Sequence, residues 1–580
     1  MTALLLEWAA QSMPHLILAP MALPLFSAAL MLLVREERRS TKVVINLAAT
    51  LLGWCVAVVL LLQVHGTAGP AGLGVYLPGN WPAPFGIVLA LDRLSALMLV
   101  LTSTVALAAA LFSTARWHRA GVHFHPLFQF QLMGLAGAFL TADLFNLFVF
   151  FEILLAASYG LLLHGSGRPR VSAGLHYIAI NLAASSLFLV GASMLYGITG
   201  TLNMADLAQS VAEASAADRG LLHGAAAILG LAFLIKAAVW PLNFWLVPAY
   251  SAATAPVGAL FALMTKVGLY ALLRLWTLLF GAEAGASALW GGPWLVGAGM
   301  VTLVFGAIGM LGSQRLGHLA GFGTILSSGT LLAALGFGHS PLTGALLYYL
   351  LGSTLALSAL FLLADLIDRW RNDGFERAPH EASDDAPFLT ADLLPSDEHN
   401  LDANEEVLIG QVIPAAAALL GLAFIACTLV ITGLPPLPGF IGKFAMAHAL
   451  LNPQGLGGSG PAAPTAAHWG LLALLLGSGL LALLALTRAG IRHFWAAHGR
   501  AAPRLLVVEG LPIAGLLLAC LGLVWQAGPV MEYTQATARA LHAPSAYVRA
   551  ILSARPVPNP VAAPAPAPRA QGRTPSERRP

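Results

Sequence analysis

Apolar residues run through this chain in long blocks separated by short charged or Gly/Pro-rich stretches. The blocks lie at about 14–34, 43–64, 87–115, 124–141, 143–163, 171–197, 223–248, 254–277, 294–312, 318–338, 341–368, 407–452, 467–490 and 509–530. Crossing the hydrocarbon of a bilayer takes about 20 mostly apolar residues in a helix, so the pattern predicts an all-α polytopic membrane protein with about fourteen transmembrane helices. Two blocks carry an internal break. In the seventh, Pro241 has no backbone N–H, so the carbonyl of Ala237 loses its helical partner. The twelfth is too long for one simple span, and Gly433, Pro435, Pro436, Pro438 and Gly439 cut it in the middle. Inside a membrane such breaks are tolerable only where the freed backbone groups face protein or water.

Composition removes the alternatives. Of 580 residues, 58% are hydrophobic and 9% charged, with a mean hydropathy of +0.79. A soluble chain carries about 25% charged residues, so a cytosolic enzyme with a membrane anchor is excluded. The net charge of +3 gives no reason to expect a nucleic-acid partner. Cys55, Cys427 and Cys520 each lie in an apolar run and read as small buried hydrophobes. The N-terminus lacks a basic region before its first apolar block, as the first charge is Glu7 and the first arginine Arg35, so the first helix is expected to be retained.

Loop charges orient the bundle. The loops after helices 1, 3, 5, 9, 11 and 13 hold sixteen Lys and Arg, whereas the alternate side holds Arg219 and, at a helix start, Arg93. The positive-inside rule then makes the first set cytoplasmic and puts both termini outside. The seven basic residues from Arg539 to Arg579 run against this, but charges after the last span weigh less than the loops. Residues 372–406 carry eleven acidic side chains against Arg377 and predict a solvated cytoplasmic loop, either a disordered insertion or a docking segment for a partner subunit. The Pro/Ala/Arg-rich tail 555–580 is expected to be disordered.

Ionisable groups inside the membrane are costly and usually mark a pathway or a buried pair. Of 29 basic residues only four are lysines; Lys42 lies in a charged turn, but Lys236, Lys266 and Lys443 lie inside apolar helices. Glu152 is midway through the fifth helix, beyond the reach of any capping role, which leaves a static buried ion pair or a proton-pathway role. Asp143 begins the same helix, where a carboxylate caps backbone N–H groups. Nine residues separate it from Glu152, about 180° of helix rotation, so the two do not share a face. Lys236 precedes the break at Pro241, and Lys443 follows the second break. Lys266, next to Thr265, is buried in the eighth helix, and Arg274 is placed to snorkel to the outer interface. Arginine keeps its proton at any working pH, whereas a buried lysine can release one. His176, His318, His339 and His448 read as packing or interface histidines; His448 is about 140° around the helix from Lys443. The sequence has no phosphate-binding Gly loop, no clustered Cys/His ligands and no nucleophile with a base, so no catalytic, cofactor or metal site is expected.

The residues then resemble a family. The stretch Thr141 to Gly165 around Glu152, the stretch Phe233 to Gly268 that holds Lys236 and Lys266, and Gly433-Leu-Pro-Pro-Leu-Pro-Gly-Phe-Ile-Gly-Lys443 are similar to the antiporter-like subunits shared by respiratory complex I and multisubunit monovalent cation/proton antiporters. The wording at Ala249 to Ala253 and Met264 to Gly268 is most similar to the D-subunit branch of the Mrp (or Pha) antiporters. The resemblance covers about residues 85–530.

It implies helices 1–3 over 1–123, two inverted five-helix repeats over 124–280 and 290–495, each with a broken helix (7 and 12), and a last helix at 509–530. It implies a charge pair between Glu152 and Lys236, a lateral connection through Lys266 and a second half-channel at Lys443. Asp143, Pro241, Thr265 and His448 are candidate supports. The implied function is sodium or potassium exchange for protons in a bacterial inner membrane, with other antiporter subunits and the bilayer as partners. The alternative is a proton-pumping subunit of complex I or a membrane-bound hydrogenase. Two positions depart from the family: Asn243 stands where a His is common, and Leu346 to Ala364 holds no titratable residue of the usual kind, Gly352 falling at that place. Ser353, Thr354, Ser358 or water are left to substitute.

Overall fold

The computed structural model describes residues 15–66, 73–119, 121, 123–375, 414–453, 463–495, 503 and 505–557. The acidic segment beyond residue 375 and the tail beyond residue 557 lie outside the described residues. Among the described residues, thirteen helices are long and apolar enough to cross a membrane. The block at 124–141 also forms a helix, Phe124–Leu140, but of only 17 residues. It packs closely on Leu144–Leu162 because Gly134 and Gly137 leave room for Leu154 and Phe150.

Both predicted breaks are present. The seventh block divides into Arg219–Lys236 and Leu246–Ala252, and the twelfth into Ala415–Thr432 and Pro438–Leu451. The third helix starts later than its apolar run, at Arg93, because Asp92 is extended and its side chain accepts the Ser95 N–H at 2.8 Å. The preceding Leu89–Leu91 pairs instead as a strand, antiparallel to Gly74–Tyr76. Among the described residues, three α-helices escape a hydropathy reading: Met204–Glu213, Ala527–His542 and Ser545–Leu552. Each is short and half polar: Met204–Glu213 packs on Ala255–Leu279, Ala527–His542 on Ser340–Phe375, and Ser545–Leu552 on Met204–Glu213.

At the centre stands the Ala255–Leu279 helix, whose apolar stretch is wholly buried. Leu316–Gly336 and Ser340–Phe375 pack beside it and are nearly as enclosed. With no hydrophobic drive between helices in lipid, such helices are held by close packing and by satisfied polar groups. One such group ties down the first helices: Gln129 Nε2 donates to Asn46 Oδ1 at 2.8 Å and to Thr50 Oγ1 at 2.9 Å, and Asn46 Nδ2 meets His125 Nδ1 at 3.0 Å.

Three readings are corrected here. Lys42 lies in the first turn of Arg39–Gly66 and is buried, so it is no exposed turn residue. Cys55 is exposed on the outside of the bundle, since its helix turns that face away from its neighbours. Arg274 does not snorkel: its guanidinium grips Asp92 through two hydrogen bonds of 2.5 and 2.7 Å. Burial alone would push the Asp92 carboxyl up, but Arg274 outweighs it and holds Asp92 below the usual range.

Candidate functional site

Lys236 is the last residue of its helix. Beyond it the chain turns through Ala238, whose φ of 54° is left-handed, and leaves the helical path. A backbone donor freed by the break finds a partner in the next element: Trp240 N–H donates to Thr302 Oγ1 at 3.0 Å. The break is therefore sealed by protein, as a membrane interior demands. Gly268 on the central helix makes the close approach possible, because a Cβ there would fall 2.9 Å from the Ala237 nitrogen and the Phe233 oxygen.

The Lys236 ammonium is buried and has no hydrogen-bond partner among the described residues. It lies 5.2 Å from the centre of the Phe151 ring, a cation–π contact. Glu152, the next residue, acts on it through its field but makes no direct ion pair with it; its carboxylate accepts instead from the Ser185 hydroxyl. The implied charge pair is thus two neighbours held apart. A cavity of about 10 Å³ touches Lys236, Asn181, Tyr177 and Trp245, which is about the room one water needs. Asp143, as expected, caps its helix, accepting the Asn146 N–H at 2.8 Å. Burial raises its carboxyl above the usual range.

Lys266 is fully buried and faces the other way. Two residues, about 200° of rotation, separate it from Gly268, so it points from the central helix towards Leu316–Gly336. Its ammonium donates to Ser327 Oγ at 3.0 Å, and Ser327 donates to Ser353 Oγ at 3.1 Å. Ser353 belongs to Ser340–Phe375, within its part from Leu346 to Ala364 that holds no titratable residue of the usual kind. Ser358 donates to the Ala259 carbonyl at 2.9 Å, and Thr354 is buried without a hydrogen-bond partner among the described residues. Thr265 is buried and bonds back to Ala262 at 3.4 Å, so it does not join the chain.

Lys443 serves the second break. Ala415–Thr432 ends at Gly433, with a φ of 80°, and leaves carbonyls without helical partners. Lys443 Nζ donates to Thr432 O at 2.7 Å and Ile431 O at 3.4 Å, placing a cation at the negative end of a half-helix. Beside it, Gly442 packs on Tyr349 and Pro438 on Gly352. The Tyr349 hydroxyl lies next to Ser327 and Thr330. The Ser340–Phe375 helix thus touches both the Lys266 hydroxyl chain and the Lys443 break. His448 is exposed and lies off the Lys443 face.

Ser185, Ser327 and Tyr349 do not stand out in the sequence. Single hydroxyls in apolar helices are common and carry no signal until a charged partner is seen opposite. The Asp92–Arg274 pair spans 182 residues of sequence and has none at all.

Residues 141–455 match the family described as NADH:quinone oxidoreductase/Mrp antiporter, TM. The D-subunit of the probable K(+)/H(+) antiporter of Rhizobium meliloti (strain 1021) is 51% identical over 541 residues, covering 93% of this chain and 98% of the relative. The D-subunit of the Na(+)/H(+) antiporter of Bacillus subtilis (strain 168) is 32% identical over 552 residues, 93% of this chain and 100% of the relative. Among solved structures, a chain of the Mrp complex from Dietzia sp. DQ12-45-1b superposes with a TM-score of 0.76 at 24% identity, over 93% of this chain and 100% of that one. A chain of respiratory complex I from Thermus thermophilus with bound NADH gives 0.69 at 21%, over 93% and 100%. At these identities the structural likenesses speak to fold alone.

Proposed function

The chain belongs to the NADH:quinone oxidoreductase/Mrp antiporter family, and on that premise we propose that it is the D-type, ion-translocating subunit of a multisubunit monovalent cation/proton antiporter. The observation that carries this reading is the set of three lysines, two at helix breaks and one at the head of a buried hydroxyl chain. Each is a proton donor held where water is scarce and other polar groups are within reach.

In this reading Glu152 and Lys236 form the first half-site. A proton arriving on Glu152 removes the field that favours the charged Lys236, so the ammonium releases its own proton more readily. Lys266, Ser327 and Ser353 lead on across the bundle, with Tyr349 and Lys443 at the second half. The halves correspond to inverted repeats over 124–280 and 290–495. The protein works in a bacterial inner membrane with both termini outside, among other antiporter subunits. The name of the Rhizobium meliloti relative makes potassium the first cation to test, with sodium beside it.

The test is cation/proton exchange by the whole complex in inverted vesicles, driven in turn by potassium and sodium. Glu152→Ala and Lys236→Ala are expected to abolish exchange while the protein stays assembled in the membrane. Normal exchange by both assembled variants would refute the reading.

A further inference from the structure

Away from the lysines, a cavity of about 390 Å³ opens between the helices Arg39–Gly66, Arg93–Ser113, Ser340–Phe375 and Val507–Trp525. Its walls are aliphatic, with Leu62, Leu97, Leu101, Leu351, Leu355 and Leu523 among them. Its volume falls in the range of small-molecule sites, about 300–1,000 Å³. Polar groups gather at one end, where His65, Gln526 and Tyr533 form a rim. Thr104, at the deep end, is already satisfied, donating to Val100 O at 2.8 Å and accepting from Trp54 Nε1 at 3.1 Å.

The groove has the depth of one leaflet. From Arg93 to Thr104 the helix climbs eleven residues, about 16 Å at 1.5 Å per residue, against about 15 Å for half a hydrocarbon core. Arg93 lies on the same helix face as Leu97, Val100, Leu101 and Thr104, at intervals of four, three, one and three residues. It therefore stands one turn above the groove, at its polar end. Its guanidinium lies 6.0 Å from the centre of the Tyr533 ring, and Tyr533 donates to the Arg93 carbonyl at 2.8 Å. No carboxylate pairs with Arg93 among the described residues, since its neighbour Asp92 is held by Arg274. Between the spans, Arg93 is one of two basic residues on that side of the membrane, the others there, from Arg539 on, following the last span.

We propose that this groove binds one anionic phospholipid, with an acyl chain along the aliphatic walls and its phosphate on Arg93 at the rim. An unpaired guanidinium recognises a phosphate by charge and by its fork of donors. The apolar depth below it rejects a free inorganic anion and suits a lipid tail. The bound chain packs on Leu351 and Leu355, which flank Gly352, Ser353 and Thr354, so the lipid braces the back of the helix that carries the Lys266 hydroxyl chain.

The test is intact-mass spectrometry of the purified antiporter complex titrated with dioleoylphosphatidylglycerol or dioleoylphosphatidylcholine. The wild type is expected to retain one more phosphatidylglycerol than phosphatidylcholine. Arg93→Gln removes that preference, with about a tenfold loss of phosphatidylglycerol retention and a smaller loss for phosphatidylcholine, whose own ammonium offsets its phosphate. Leu101→Trp, which fills the groove, removes the retained lipid altogether. If Leu101→Trp does not assemble, the Arg93→Gln comparison decides alone, because its side chain lies at the rim and not in the packing. Equal retention of the two lipids, no effect of Arg93→Gln, or capture of another subunit instead of lipid by a cross-linker on Leu62→Cys would each overturn the proposal.

Discussion

Lys266 donates its ammonium proton to Ser327 across 3.0 Å, although the two belong to different helices 61 residues apart in sequence. The contact converts a buried cation that would otherwise be stranded into the head of a chain that continues to Ser353. A hydrogen bond to a charged group contributes about 1.5–3 kcal/mol. Ser327→Ala is therefore expected to slow exchange by about tenfold or more with the complex intact, and Ser327→Thr, which keeps the hydroxyl, to restore most of it. Exchange rates in vesicles, compared with the amount of assembled protein, check both.

Lys443 offers a separation of charge from proton release. Lys443→Arg retains a cation for the Thr432 and Ile431 carbonyls, but a guanidinium does not give up its proton at working pH. The variant is expected to assemble at wild-type levels and to lose proton-coupled exchange. Lys443→Ala is expected to lose both exchange and some thermal stability, because the half-helix carbonyls lose their partner. Melting temperature and exchange, measured on both variants, separate the two roles.

Gly268 holds the first break against the central helix. Gly268→Val pushes its side chain into the Ala237 and Phe233 backbone, where even a Cβ would come within 2.9 Å. Overpacking of this kind costs about 1–3 kcal/mol, and here it displaces the Lys236 segment. The expected result is a lower melting temperature and exchange reduced well beyond what the loss of folded protein accounts for.

The Asp92–Arg274 pair is buried enough that either half alone is a liability, with side chains 18% and 7% exposed. Removing one partner leaves an uncompensated charge, at a cost of about 3–5 kcal/mol. Asp92→Ala and Arg274→Ala are each expected to cut the yield of folded protein sharply, and the double variant to recover part of it. A double-mutant cycle on thermal stability measures the coupling.

A histidine contact ties the Ala527–His542 helix to the bundle. His542 Nε2 lies 2.9 Å from Thr343 Oγ1. Burial and the neighbouring His339 hold the His542 imidazole down to about 4, and His339 is itself lowered by burial and by His468. In the unfolded chain a histidine titrates near 6.5. The folded state therefore favours neutral rings, and their contribution is fully present above about pH 6.5 and is lost as pH falls towards 4. The melting temperature is expected to decline by several degrees over that window, and His542→Gln, which keeps a partner for Thr343 without titrating, to flatten the decline. Melts at pH 7, 6, 5 and 4.5 provide the check.

Much of this protein is legible along the chain because a bilayer makes local demands. Each span must be apolar, so the helices announce themselves, and proline breaks inside them stand out at Pro241 and at Pro435 to Pro438. The rarity of lysine makes Lys236, Lys266 and Lys443 visible against an arginine-rich background. Asp143 can be read as a cap because capping depends only on the next few residues. The three amphipathic helices escape such a reading because a half-polar segment of 8 to 16 residues resembles a loop in composition.

Which side chains meet is decided only by the tertiary structure. A serine facing Lys266, a hydroxyl on Glu152 and an aspartate gripping Arg274 each come from a distant segment, and hydropathy says nothing about helix rotation. The same holds for the separation of Glu152 from Lys236, which the motifs leave as a pair. The sequence by itself determined that costly charges are buried, because the bilayer requirement is local. The structure decided how each charge is satisfied, because hydrogen-bond partners in a helical bundle are set by packing between segments remote along the chain.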